Sequence, residues 1–117
     1  MKLYVDDQRP CPDGFILART IDEAKAYLST GTVNEASLDH DMGACADCVA
    51  TGAHVGDFLT PETSFMNACP HAPNGHDLAL WMVKSGLVPT KVRVHSLNPV
   101  GRTRMRAVFA GSLSNAN

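Results

Sequence analysis

Residues 91–109 read Lys91-Val-Arg-Val-His95-Ser-Leu-Asn98-Pro-Val-Gly101-Arg-Thr-Arg-Met105-Arg-Ala-Val-Phe109. Polar and apolar side chains alternate over 91–95, the period of a strand with one exposed face. A polar step, Ser96-Leu97-Asn98, follows. Asn98 can then cap a helix, Pro99 suits its first turn, and Met105, Val108 and Phe109 supply an apolar face. One unit thus runs from strand to polar end to helix. Similar signals alternate through the rest of the chain. Lys2–Val5 is a short apolar run ending in Asp6-Asp7, before Pro10, Pro12 and Gly14 break the chain. Residues 15–19 give a second short strand. Thr20-Ile-Asp-Glu23 fits a capping box, and Ile21, Ala24, Tyr27 and Leu28 follow at helical spacing up to Gly31. Glu35–Leu38 gives a third strand, ending in Asp39-His40-Asp41. Asn74-Gly75-His76-Asp77 opens a helix with Leu78, Trp81 and Met82 on one face and Gly86 at its end. Residues 111–117 read as a flexible tail. Alternating strands and helices predict a small α/β layer with a parallel sheet of about four strands.

Length and composition agree with one domain spanning residues 1–117. Hydrophobic residues are 44% and charged residues 19%, a globular balance that excludes a disordered chain, a coiled coil and a collagen repeat. Aromatics are 6%, so the core rests on Val, Leu, Ala and Met. A formal charge of -2 argues against a duplex nucleic-acid-binding domain. Lys91, Arg93, Arg102, Arg104 and Arg106 nevertheless fall in a segment without an acid, which can face an anion or form a solvated helix face. No apolar run is long enough to span a membrane, and the first residues do not make a signal peptide. A cytoplasmic setting is expected, where cysteines favour metal binding or catalysis over disulfides.

Three strand candidates end in polar clusters: Asp6-Asp7, Asp39-His40-Asp41, and His95-Ser96 with Asn98. Ligands of open parallel sheets sit outside the carboxyl ends of the strands, so these clusters are expected to converge. Asp6, Asp7, Asp39 and Asp41 can hold Mg²⁺ or Mn²⁺ through carboxylate oxygens. Without a metal, crowded carboxylates raise one another's pKa values and can act as proton donors. His40 and His95 are acid/base candidates, although a strand histidine such as His95 can also be purely structural. Ser96, Asn98, the following helix N-terminus, Gly101 and Arg102 or Arg104 can form a phosphate site.

Four stretches carry a further likeness: Leu3-Tyr4-Val5-Asp6-Asp7-x-Arg9-Pro10, Leu17-Ala18-Arg19-Thr20, Ser37-Leu38-Asp39-His40-Asp41-Met42-Gly43, and His95-Ser96-Leu97-Asn98-Pro99-Val100-Gly101-x-x-x-Met105. Together they resemble the cyclic-phosphate-processing receiver-like domains, relatives of response-regulator receivers. The resemblance implies a flavodoxin-like, three-layer fold. It matches Asp6, Asp7 and Asp39 to an acidic pocket that binds Mg²⁺ in receivers, where a central Asp takes a phosphoryl group. It also implies action on cyclic phosphates of nucleotide-like compounds, with His40 and His95 in acid/base roles beside Asp39. Arg9 joins Ser96, Asn98, Gly101 and Arg102 as a substrate-binding candidate. No fifth strand with the receiver lysine follows His95, which argues against ordinary phosphorelay signalling. The readings are a cyclic phosphodiesterase, a module that binds a nucleotide-like ligand without cleaving it, or a receiver-like interaction domain. Oligomeric state is left open.

Residues 44–74 are aperiodic and lie outside that pattern. Cys45-Ala-Asp-Cys48 and Cys69-Pro-His71 fall there. A Cys-x-x-Cys turn lets two thiolates reach one tetrahedral ion, so Cys45, Cys48, Cys69 and His71 are expected to bind a structural zinc, with His54 and His76 as alternatives to His71. A redox role for the Cys-x-x-Cys pair fits less well, because it does not open a helix after a strand. Cys11, apart in a Pro-Cys-Pro turn, is read as a spacer.

Overall fold

The computed structural model describes residues 1–42 and 73–115, with side chains through Gly111. Its elements in chain order are β1 (Lys2–Val5), β2 (Ile16–Ala18), α1 (Ile21–Leu28), β3 (Glu35–Leu38), α2 (Gly75–Ser85), β4 (Lys91–Val94) and α3 (Pro99–Asn115). The strands form one parallel sheet in the order β2-β1-β3-β4. Register pairs Val5 with Ala18 and with Leu38, and Leu38 with Val94. Side chains alternate along each strand. One face therefore carries Leu3, Val5, Ala18, Ala36, Leu38, Val92 and Val94. The other carries Lys2, Tyr4, Leu17, Glu35, Ser37 and Arg93.

The first face is the core. Leu3, Val5 and Leu38 are fully buried against Ile21, Ala24 and Leu28 of α1, Leu78 and Met82 of α2, and Met105 and Phe109 of α3. Burying each large apolar side chain stabilises the fold by roughly 1.5–3 kcal/mol, so this cluster dominates the packing.

The three described helices serve that one face. Among the described residues the architecture is therefore two-layered, where three layers were expected. Residues 6–15 between β1 and β2, with Pro10, Pro12 and Gly14, make a loop where a crossover helix would have covered the other face. Phe15 returns from that loop to set its ring edge-on against Tyr4 on the outer face.

The local signals mostly act as the sequence implies. Thr20 caps α1 by accepting from the Glu23 amide at 3.1 Å. The Glu23 carboxylate accepts from the amide of Arg19, one residue before its expected partner. Asn74 and Asp77 complete a reciprocal capping box on α2, and Gly86 ends that helix at φ 70°. The expected tail beginning at residue 111 is corrected in part, because α3 runs on to Asn115. Gly111 lowers helix propensity but does not adopt the left-handed conformation that stops a helix. No helix among the described residues is long and apolar enough to cross a membrane. Cys45, Cys48, Cys69, His71 and His54 lie outside the described residues.

Candidate active site

The core row Val5, Leu38 and Val94 is followed by Asp6, Asp39 and His95. Ladder-like hydrogen bonds continue through them: Asp6 N–H donates to Ala18 O at 3.1 Å, Asp39 N–H to Val5 O at 3.0 Å, and His95 N–H to Leu38 O at 3.0 Å. The row stays in register, and strand alternation turns it away from the helices. One oxygen of Asp6, one of Asp39 and one ring nitrogen of His95 lie within 4.8 Å of one another. Among the described residues this is the group whose donors can share a cation.

Asp6 is almost completely buried. Its Oδ1 accepts from the amides of Gln8 and Arg9, each at 2.9 Å, and its Oδ2 accepts from His95 Nε2 at 3.0 Å. Burial pushes its carboxyl up, but the Arg9 and Gln8 amides, with His95, outweigh that and hold it below its usual value. Asp39 goes the other way. Burial and then the Asp6 charge raise it, against the His40 amide and His95. Asp7 is also raised, by burial first and then, after a partial offset from its own amide, by Asp6, Asp39 and Asp41. Burial first and neighbouring carboxylates second disfavour the charged forms of Asp7 and Asp39, and a cation at this row would relieve the second cause.

His95 is held on three sides. Nδ1 lies 2.7 Å from Ser37 Oγ, and Nε2 faces Asp6. Its ring stacks on Tyr4 with centroids 4.5 Å apart and planes 4° from parallel. Arg9 Nη1 donates to the His95 carbonyl at 3.1 Å, and Arg9 Nε lies 3.8 Å from Asp6 Oδ2. Arg19 Nη1 donates to the carbonyls of Arg9 at 2.8 Å and Asp6 at 3.3 Å, tying the loop to the sheet.

A family model described as the cyclic-phosphate processing receiver domain matches residues 1–111. The chain belongs to this family. Comparison with curated proteins and with solved structures found no match.

In this cyclic-phosphate processing receiver domain the expected site residues divide between the two faces of the sheet. Asp6, Asp39 and His95 share the outer side, with Asp7 and Arg9 beside them. His40 and Ser96, one residue further along their strands, turn toward the helices and are each 1% exposed. His40 Nδ1 bonds Asp41 Oδ1 at 2.8 Å, and Asn98 Nδ2 donates to the same oxygen at 3.4 Å. Asp41 therefore braces His40 and Asn98 and lies outside the close ligand group.

Ser96 Oγ accepts from the Asn98 amide at 3.0 Å, while Asn98 Oδ1 accepts from the Gly101 amide at 3.0 Å. These groups build the turn into α3, so Ser96 and Asn98 spend their side chains internally. Gly101 makes room for the His40 ring, where an added Cβ would sit 2.5 Å from Cγ. Arg102 Nη1 reaches the Ser96 carbonyl at 3.4 Å. Cys11 donates its thiol to the Phe15 carbonyl at 3.3 Å. His76 stands at the start of α2, its pKa lowered by burial and then by Arg104.

Ser37 and Tyr4 join the site without any sequence signal that marks them. Both lie inside strands, and only the register brings them beneath His95. Gly75 likewise looks in the sequence like no more than part of a helix start. Its missing Cβ lets α2 approach the Asp39 carbonyl, and its amide donates to the His40 carbonyl at 2.9 Å.

Proposed function

We propose that this domain is a phosphodiesterase that opens the cyclic phosphate of a nucleotide-like compound. The observation that carries the reading is the row Asp6, Asp39 and His95, with donor atoms inside 4.8 Å at the carboxyl ends of adjacent parallel strands. Ring opening forms a bond from a water oxygen to phosphorus. One ring P–O bond breaks, its electron pair goes to the sugar oxygen, and that oxygen gains the proton that water loses. His95 Nε2 is the group that relays the proton. Asp6 and Asp39 are the residues that would hold Mg²⁺ or Mn²⁺, with Asp7 alongside. Such a cation supplies positive charge to the phosphate oxygens as they become more negative. Arg9, partly exposed beside Asp6, and Arg102, at the start of α3, are the cationic side chains for the phosphate.

In this reading His40 is a brace for the strand-end loop rather than a second proton carrier, because its ring is enclosed by Gly101 and tied to Asp41. A cytoplasmic setting fits a nucleotide-like substrate. The test incubates the full chain with Mg²⁺ or Mn²⁺ and a panel of 2′,3′-cyclic nucleotides, ADP-ribose cyclic phosphate and cyclic dinucleotides. Linear phosphate monoesters or diesters are the expected products. Recovery of every compound intact overturns the hydrolase reading, and tight calorimetric binding without turnover would replace it with a sequestering module.

A further inference from the structure

We propose that Ser37 is a positioning residue whose hydroxyl lets His95 carry its ring proton on either nitrogen without turning. Ser37 lies on β3 and Tyr4 beside it on β1, paired in register on the outer face. The His95 ring stands against the Tyr4 ring while Nδ1 meets Ser37 Oγ at 2.7 Å. A parallel ring contact of this kind sets the ring plane. It does not choose between the nitrogens. Hydrogen bonds do that.

An ionised carboxylate only accepts, so facing Asp6 the Nε2 must be the protonated nitrogen. Nδ1 is then bare, and the Ser37 hydroxyl donates to it. A base needs the opposite tautomer, with its lone pair on Nε2 and its proton on Nδ1. A hydroxyl can accept that proton by rotating its own hydrogen away. Alanine could do neither job, and a carboxylate in place of Ser37 would lock one tautomer. Ser37 is 8% exposed, so little water can take its place. The exchange moves a proton between ring nitrogens and leaves the charge of the ring unchanged.

This inference deepens the cyclic-phosphate reading and rests on it for its kinetic arm; its spectroscopic arm needs only that Asp6 stop accepting from Nε2, which Asp6→Asn, whose amide can donate to that nitrogen, achieves without any cation. Long-range proton–nitrogen NMR of the full chain, with labelled histidine and neutral rings, reports which His95 nitrogen is protonated. Without cation, the wild type is expected in the Nε2–H form. Adding Mg²⁺, which competes for Asp6, is expected to populate the Nδ1–H form. Ser37→Ala should not develop that form, and Ser37→Thr should behave like the wild type. Ser37→Cys, which nearly keeps the bulk but bonds weakly, should respond partially, and it serves as the probe if Ser37→Ala does not fold. In turnover, Ser37→Ala should lose about 10–100-fold in kcat with KM little changed, and Ser37→Thr should recover most of it. A tautomer response in Ser37→Ala equal to the wild type, or an Nε2–H ring that persists both with Mg²⁺ and in Asp6→Asn, overturns the proposal. If no cyclic phosphate is turned over, the functional reading fails while the tautomer response still decides the role of Ser37.

Discussion

Replacing Gly101 by alanine tests how tightly α3 is seated on the strand-end loop. In most helices the change would help, because alanine exceeds glycine in helix propensity by about 1 kcal/mol. Here the new Cβ would fall 2.5 Å from His40 Cγ, 2.6 Å from Cδ2 and 2.9 Å from Nδ1. Carbon atoms prefer about 3.5–4.0 Å, so the ring or the first turn of α3 must shift by roughly 1 Å. The ring has little freedom, being buried and hydrogen-bonded to Asp41. Overpacking of this kind costs about 1–3 kcal/mol and outweighs the propensity gain. The net expectation is a loss of up to about 2 kcal/mol, or up to roughly 10 °C in Tm for a domain of this size. Gly111→Ala is the control. It lies in the same helix, is exposed, and has nothing within 4 Å of its added Cβ, so it should gain about 0.5–1 kcal/mol. Urea unfolding of both variants at equal m-value separates the two cases. If Gly101→Ala stabilises the protein as much as Gly111→Ala does, the packing of His40 beneath α3 described above is wrong.

Gly75→Ala should be costlier, because its Cβ would overlap the Asp39 carbonyl, a backbone atom that cannot rotate away. A loss of at least about 2 kcal/mol in urea unfolding is expected, with weaker turnover because Asp39 moves. Asp39→Asn tests the electrostatic cost of the site. A raised carboxyl contributes its stability below its unfolded pKa of about 3.9, and loses it as pH rises through the folded value. The metal-free variant should therefore gain on the wild type at neutral pH more than near pH 3, read from urea midpoints at both. Asp6 has the opposite sign. Its stability is present above the unfolded value and lost as pH falls through its lowered folded one, so Asp6→Asn should be destabilising at neutral pH. Elemental analysis should find one zinc per chain in the wild type and none in Cys45→Ser; zinc retained in the variant would exclude Cys45 as a ligand.

The strand ends were legible in the sequence because β1, β3 and β4 each stop at an acid or a histidine. Asp6, Asp39 and His95 could be named from that alone. Their separation from His40 and Ser96 could not. Adjacent residues at a strand end face opposite sides, and which side is the core depends on a register that pairs residues far apart in the chain. For the same reason Ser37 and Tyr4 looked like ordinary strand residues. The helix starts at Thr20 and Asn74 were readable because capping is local. The two-layered arrangement of the described residues was not, since it depends on what residues 6–15 do between two parallel strands. Ser96 and Asn98 illustrate a further limit. Their side chains can bind an anion or close a turn, and only the hydrogen bonds to the Asn98 and Gly101 amides tell which.

If the row Asp6, Asp39 and His95 performs the chemistry, phosphorus NMR of the first cyclic phosphate the wild type opens will show it, with Mg²⁺ present and His95→Gln and Asp39→Asn run beside it. The wild type should convert the strained ring signal to that of an open phosphate ester. His95→Gln should lose about 10²–10⁴-fold in rate, the usual contribution of a positioned acid/base group. Asp39→Asn should lose activity that added Mg²⁺ does not restore. Full activity in either variant would contradict the account.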